Sequence, residues 1–269
     1  MQFQRIGFLG CGNMGSALAR AAAPKAGDLL LADHAQEKAR ALAAELGGAA
    51  ADNGQVARQC DLIFLGVKPQ MMAGLLSELG PVLRERSDRF VLVTMAAGLS
   101  IAAIRQMAGA DWPVIRIMPN TCAAIGQGML ALTDGGAGLE QELAGAQAIL
   151  ARAGRVERLD EGLMDAFTAV AGCGPAYVYP FIEALADGGV MAGLPRAKAQ
   201  IFAAQTLLGA AAMVLESGEH PGALKDAVCS PGGSTIAGVA ELERRGFRAA
   251  AIQAVLAAYE KNMELGKQK

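Results

Sequence analysis

Two stretches of this chain bring together residue types that could do chemistry. Near its start, Ile6-Gly7-Phe8-Leu9-Gly10-Cys11-Gly12-Asn13-Met14-Gly15 sets three glycines at the spacing G-x-G-x-x-G, behind a short apolar run and ahead of an alanine-rich helical pattern from Ser16. Strand, tight turn and helix in that order suit a pyrophosphate. Gly10 reverses the chain, Gly12 lets backbone N–H groups reach the phosphates, and Gly15 lets the helix lie close on the strand. The diphosphate would then rest at the positive end of the helix. Glycine turns are common in proteins, so the weight of the dinucleotide reading comes from the position directly after a strand.

Late in the chain, Lys225-Asp226-Ala227-Val228-Cys229-Ser230-Pro231-Gly232-Gly233-Ser234-Thr235-Ile236-Ala237-Gly238 reads as a helix ending near Cys229 and another starting from about Ser234. Gly232, Gly233, Ser234 and Thr235 would offer backbone N–H groups and hydroxyls to a small carboxylate without an arginine. An ordinary cap accounts for Ser230 or Ser234 alone, but not for so permissive a Gly-Gly pair. Oxidising an alcohol needs a base, typically His or Lys, and the helical half holds only His220 and few lysines. Reducing a C=N bond asks less, because a ring imine is basic enough to be protonated near neutral pH. The protein must mainly place the hydride carbon about 3 to 3.5 Å from the imine carbon and support the nitrogen. Thr235 is the expected catalytic hydroxyl, as donor or as relay from water.

The elements that would position these residues fall into two classes. Leu29 to Ala32 reads as a strand ending at Asp33, a suitable distance past the glycine turn to meet the adenosine ribose; an acid there favours NAD over a 2′-phosphate. Asp33 with Gln36 equally resembles a capping box opening a Glu37 to Leu46 helix, while His34 and Lys38 soften the rejection of a phosphate. Asp61 to Val67 and Phe90 to Met95 are continuous apolar runs, as expected of parallel strands buried on both faces. They end in Val67-Lys68-Pro69 and Ala96-Ala97-Gly98, which would face a cofactor at the carboxyl ends of the strands or serve simply as turns. Asn53 could reach the ribose, although its pattern fits a turn residue better.

Val114 to Met118, Gly128 to Thr133, a helix around Leu139 to Ala153 and Val156 to Leu159 complete an open α/β sheet of the doubly wound Rossmann type. The first domain is expected to span residues 1–160. From Glu161 the pattern is all-helical, with Pro175, Pro195 and Pro221 at helix starts and Gly193 and Gly218 at helix stops. Residues 161–269 therefore read as a helical substrate-binding and dimerisation domain. Its many small residues and few aromatics would pack better against a second copy.

Composition narrows the function classes. The 24 basic and 26 acidic residues form no basic cluster, which argues against a nucleic-acid surface. Five cysteines lack C-x-x-C spacing and the two histidines lie far apart, so neither a disulfide framework nor a metal is expected. The apolar stretch Ala199 to Leu215 reads as a buried helix rather than a membrane span. The chain opens straight into a strand with no signal-peptide pattern, and a cytoplasmic location is expected.

Several motifs, in order, resemble those of the pyrroline-5-carboxylate reductases: Gly10-Cys11-Gly12-Asn13-Met14-Gly15, Val67-Lys68-Pro69, Ala96-Ala97-Gly98, Met118-Pro119-Asn120-Thr121, Gly174-Pro175-Ala176-Tyr177, His220 to Asp226 and Val228 to Gly238. The resemblance covers essentially the whole chain. It implies hydride transfer from NADH or NADPH to L-1-pyrroline-5-carboxylate, giving L-proline, the last step of proline synthesis. It implies too a helical domain that interlocks two subunits, each substrate site being shared between them. On the same carry-over, Gly233, Ser234 and Thr235 hold the carboxylate with Thr235 facing the ring nitrogen, while the glycine turn, His34, Asn53, Val67, Lys68 and Ala97 line the cofactor. Two positions depart from the family pattern: Ala171-Gly172-Cys173 stands where relatives often carry serines, and Asp33-His34 where they often carry a neutral residue. The alternatives are a 3-hydroxyacid dehydrogenase using Lys198 or Lys225 as base, which would want a lysine soon after residues 172–174, and a non-catalytic NAD(P)-binding regulatory subunit.

Overall fold

The computed structural model describes residues 3–23 and 28–267. Its strands are β1 (Arg5–Leu9), β2 (Asp28–Ala32), β3 (Ala49–Ala50), β4 (Leu62–Leu65), β5 (Val91–Thr94), β6 (Val114–Met118), β7 (Gly128–Thr133) and β8 (Gly154–Arg158), in one sheet of order β3-β2-β1-β4-β5-β6-β7-β8. All neighbours are parallel except β6 and β7, which run antiparallel. The order reverses between β1 and β4, which creates the crevice at the carboxyl ends where such sheets take their ligands.

Alternation along each strand explains why the apolar runs are unbroken. Leu62 and Phe64 of β4 join a core on one face with Phe8, Leu18 and Ile117, while Ile63 and Leu65 join a core on the other with Leu76 and Leu79. Both faces are buried, so no polar position is left in the run. Phe8 and Phe64 stack across β1 and β4 at 4.3 Å between ring centres. The covering helices are α1 (Asn13–Ala22), α2 (Gln36–Leu46), α3 (Asn53–Gln59), α4 (Met72–Arg84), α5 (Ile101–Ala108) and α6 (Glu140–Leu150).

After β8 come α7 (Met164–Phe167), one π-helical turn (Thr168–Gly172), then α8 (Gly174–Met191), α9 (Arg196–Ser217), α10 (Pro221–Val228), α11 (Ser234–Arg244) and α12 (Phe247–Lys267). The fold class is the expected one. Two compact units divide it: one runs to Cys173 and takes in the end of α12 from Ala258, and the other is Gly174–Ala257. The division expected at residue 160 follows the change from strand to helix. The packing break lies further on, since Met164 packs with Met118 and Ala131 of the sheet.

One expectation is met only in part within the single chain. The apolar stretch 199–215 is helical, as part of α9, but in the single chain only Ala199 and Ala203 of that helix are buried. Its small residues pack against Ala186 of α8, while Ile201, Phe202, Leu208, Met213 and Leu215 are exposed.

Candidate active site

The glycine turn is built as its spacing requires. Gly10 adopts φ +109°, and a Cβ there would stand 2.7 Å from the Gly66 carbonyl oxygen. A Cβ at Gly15 would stand 2.0 Å from the Gly10 carbonyl oxygen, so these two glycines are demanded by backbone packing. Gly12 differs: nothing lies within 4 Å of the Cβ it lacks. It precedes α1, which no side chain caps. An uncapped helix start behind an open glycine fits a diphosphate group.

Around this turn lies a cleft of about 970 Å³. It gathers Gly10, Gly12, Asp33, His34, Asn53, Val67 and Lys68 from the expected set, and Lys38 with them. Asn13 and Met14 open α1 but, with Pro69, Ala96, Ala97 and Gly98, lie outside the walls of that cleft. Ala96 is buried in the core and its N–H faces the Thr94 hydroxyl at 3.3 Å. Gly98, at φ +72°, lines a separate cavity of about 160 Å³ beside Ser100 and Arg116.

Asp33 is committed in a way the sequence does not reveal. Its Oδ2 accepts the Cys11 N–H at 2.7 Å and its Oδ1 the Ala35 N–H at 2.9 Å, with His34 Nδ1 3.1 Å from Oδ1. The side chain is 6% exposed, so the carboxylate braces the glycine turn from the end of β2. The capping box with Gln36 does not form: α2 starts at Gln36 behind Ala35, with no side-chain cap. Asn53 is likewise no turn residue. Asp52 caps α3 in a full capping box with Gln55, which frees Asn53 Nδ2 to donate to both Glu78 carboxylate oxygens at 3.1 Å. Glu78 was missed, although Met71, Gly74, Leu75 and Glu78 recur at helical spacing and share one wall of the cleft.

In the helical unit, Gly232 adopts φ +67°, and the Gly233 N–H donates to the Ser230 carbonyl at 3.0 Å. The reason for glycine at 232 is its positive φ, while a Cβ on Gly233 would stand 2.5 Å from Ser230 Oγ, a hydroxyl that can turn away. The cap reading of Ser230 and Ser234 is corrected: α11 follows Gly233 and receives no side-chain cap. Thr235 lies exposed in its first turn. His220 is spent on α10, where its Nδ1 accepts the Gly222 N–H at 3.0 Å. Lys225 pairs with Asp226 at 2.5 Å, which holds its ammonium above the ordinary lysine range and makes it a poor base.

Comparison with known proteins agrees with this geometry. Residues 5–98 match a model described as NADP oxidoreductase coenzyme F420-dependent, and residues 161–265 match one described as pyrroline-5-carboxylate reductase dimerisation. The chain is 42% identical to the pyrroline-5-carboxylate reductase of Escherichia coli (strain K12), over 98% of this chain and 99% of the relative. The chain belongs to the pyrroline-5-carboxylate reductase family. Other members agree: the Pisum sativum reductase is 41% identical over 97% of this chain and 95% of its own length. The crystal structure of Plasmodium falciparum pyrroline carboxylate reductase with NADP bound is 32% identical, superposes with a TM-score of 0.86 and covers 99% of both chains. The family's dimerisation region contains α8 to α11, where the large exposed apolar side chains concentrate.

Proposed function

We propose that this chain reduces the C=N bond of L-1-pyrroline-5-carboxylate to L-proline with NADPH or NADH, as the last step of proline biosynthesis. The observation that carries the reading is the near full-length relation to reductases of that name. The bound dinucleotide supplies the hydride. Gly10, Gly12 and the start of α1 bind its diphosphate, Asp33 holds the turn and faces the ribose, and His34, Asn53, Val67 and Lys68 line its path, with Asn13, Met14, Pro69, Ala96, Ala97 and Gly98 as the remaining cofactor positions. Gly232, Gly233 and Ser234 line the substrate carboxylate, held by the N–H groups at the uncapped start of α11, while the Gly233 N–H stays on the Ser230 carbonyl and shapes the junction. Thr235 supports the ring nitrogen with its hydroxyl.

The working form is a homodimer in the cytoplasm, residues 161–269 providing the substrate-binding and dimerisation region. By length and composition α9 is apolar enough to cross a membrane, with a mean hydropathy of 1.3. The dimerisation match supports a second copy as what covers it. No membrane or nucleic-acid partner enters the reading.

The test is to mix protein, reduced cofactor and pyrroline-5-carboxylate and follow the absorbance of the cofactor. Consumption with either NADPH or NADH is expected; none with both overturns the reading. Thr235→Ala should lower kcat by roughly ten- to a thousandfold while dinucleotide affinity holds. An unchanged kcat would show that the proton reaches the nitrogen by another route.

A further inference from the structure

The chain leaves the sheet-bearing unit through a π-helical turn. In the π turn Thr168–Gly172, the Cys173 N–H donates to the Thr168 carbonyl at 2.8 Å, and the Thr168 hydroxyl is turned back onto the Met164 carbonyl at 2.7 Å. Such widened turns occur mostly as single insertions, often at functional sites. The carbonyl of Ala171 meets a specific difficulty. Regular α-helix would pair it with the N–H four residues on, and that residue is Pro175, which has none.

Asn120 answers this from the loop after β6. Its Nδ2 donates to the Ala171 carbonyl at 2.9 Å, and its Oδ1 accepts the Met129 N–H of β7 at 3.3 Å. The side chain is buried, the residue being 8% exposed, with both ends of its amide engaged. Asn120 therefore ties the end of β6 and the start of β7 to the turn from which the chain enters α8. It takes no part in the walls of the dinucleotide cleft, which come from β1, β2 and β4 and from α2, α3 and α4 with their adjoining loops.

We propose that Asn120 is a positioning residue for the reduction. Its amide replaces the donor that Pro175 lacks, and so fixes the course of the chain into the helical unit that carries Gly232 to Thr235. The inference rests on the reductase reading given above. Hydride transfer depends steeply on placement, and a shift of about 1 Å remote from the chemistry can cost on the order of a hundredfold in rate. Loss of the Asn120 donor should therefore be felt by the ring acid and not by the dinucleotide.

Three variants test this in the full-length protein: Asn120→Ala, Asn120→Asp, which keeps the shape but turns the donor into an acceptor, and Asn120→Ala combined with Pro175→Ala, which gives residue 175 an N–H. Each is measured for NADPH affinity by fluorescence titration, for kcat and KM toward pyrroline-5-carboxylate, and for hydrogen exchange of 168–177. Both single variants should lose about tenfold or more in kcat/KM for the ring acid, with NADPH affinity unchanged within about twofold and faster exchange in that segment. The double variant should recover much of the loss. Unchanged kcat/KM, a parallel fall in NADPH affinity, or no recovery in the double variant would each overturn the assignment. Should Asn120→Asp fail to fold, the alanine pair decides. Wild-type turnover checks the reductase reading separately, since the inference lives only in ratios to wild type.

Discussion

The sheet-bearing unit and the helical unit have comparably apolar sequences and opposite fates for their side chains. In the first, Ile6, Phe8, Leu9, Phe64, Leu76 and Leu79 are fully buried. In the second, the buried apolar residues among those described are Ala186, Ala199 and Ala203, while Met191 is 90% and Ile201 65% exposed. Burying one such large side chain contributes roughly 1.5 to 3 kcal/mol, so leaving a whole set in water forfeits much of what holds a small domain together. One unit closes its core within the chain; the other leaves large apolar side chains uncovered, within the residues that match the pyrroline-5-carboxylate reductase dimerisation model. The difference separates two kinds of residue: those whose substitution unfolds a unit, and those whose substitution separates copies.

The largest effect is expected at Gly15. A Cβ 2.0 Å from the Gly10 carbonyl oxygen meets backbone, which cannot swing aside. Gly15→Ala should cost the sheet-bearing unit ~3 kcal/mol or more in urea unfolding. Gly12→Ala, with nothing within 4 Å, should leave stability within ~0.5 kcal/mol and weaken NADPH binding instead. Equal stability losses at the two positions would erase the distinction between packing glycine and ligand glycine.

Next in size comes the uncovered face. Phe202→Glu on α9 introduces a charge where the native side chain is 52% exposed in the single chain. It should weaken self-association by about a hundredfold, ~3 kcal/mol, in sedimentation velocity, because a charge buried at an interface has no partner. The unfolding midpoint of the sheet-bearing unit should hold. A variant that stays fully associated would show that this face meets something other than a second copy.

How much of this was legible in the sequence follows the range of the forces involved. β6 and β7 are found at their expected residues, because an apolar run bounded by turn residues is a local signal. The glycine turn was legible for the same reason. Asp33 was not, since its partner Cys11 lies on another strand-to-helix connection, and a short-range pattern with Gln36 imitated a cap. Asn53 was read as a turn residue, whereas it is the first residue of α3, behind the capping Asp52. The exposure of α9 was invisible too: apolar composition says that a helix is covered, not by which chain. Asn120 needs the partnership with Ala171, distant in sequence, and only the missing N–H of Pro175 hints that a donor is required.

The effect that is smallest at neutral pH belongs to the sheet-bearing unit alone, follows from its closed core and grows only above pH 9. Burial pushes the Cys11 thiol up to about 11, with Asp33 adding to it, and the Cys60 thiol up to about 12, with Asp61 adding to it, both from an ordinary 9.0. In the unfolded chain these thiols ionise near 9.0, while in the folded unit they stay protonated. The folded state therefore binds more protons above that pH. The stability this gives is fully present below 9 and declines as pH rises toward 11 and 12. Each thiol contributes a slope of up to ~1.4 kcal/mol per pH unit within its window. Urea unfolding at a series of pH values should show the decline setting in near pH 9, and Cys60→Ala should flatten part of the slope whatever it does to the absolute value. A slope identical in wild type and variant would mean that Cys60 is reached by solvent, and that the core between β1 and α3 is less closed than its packing shows.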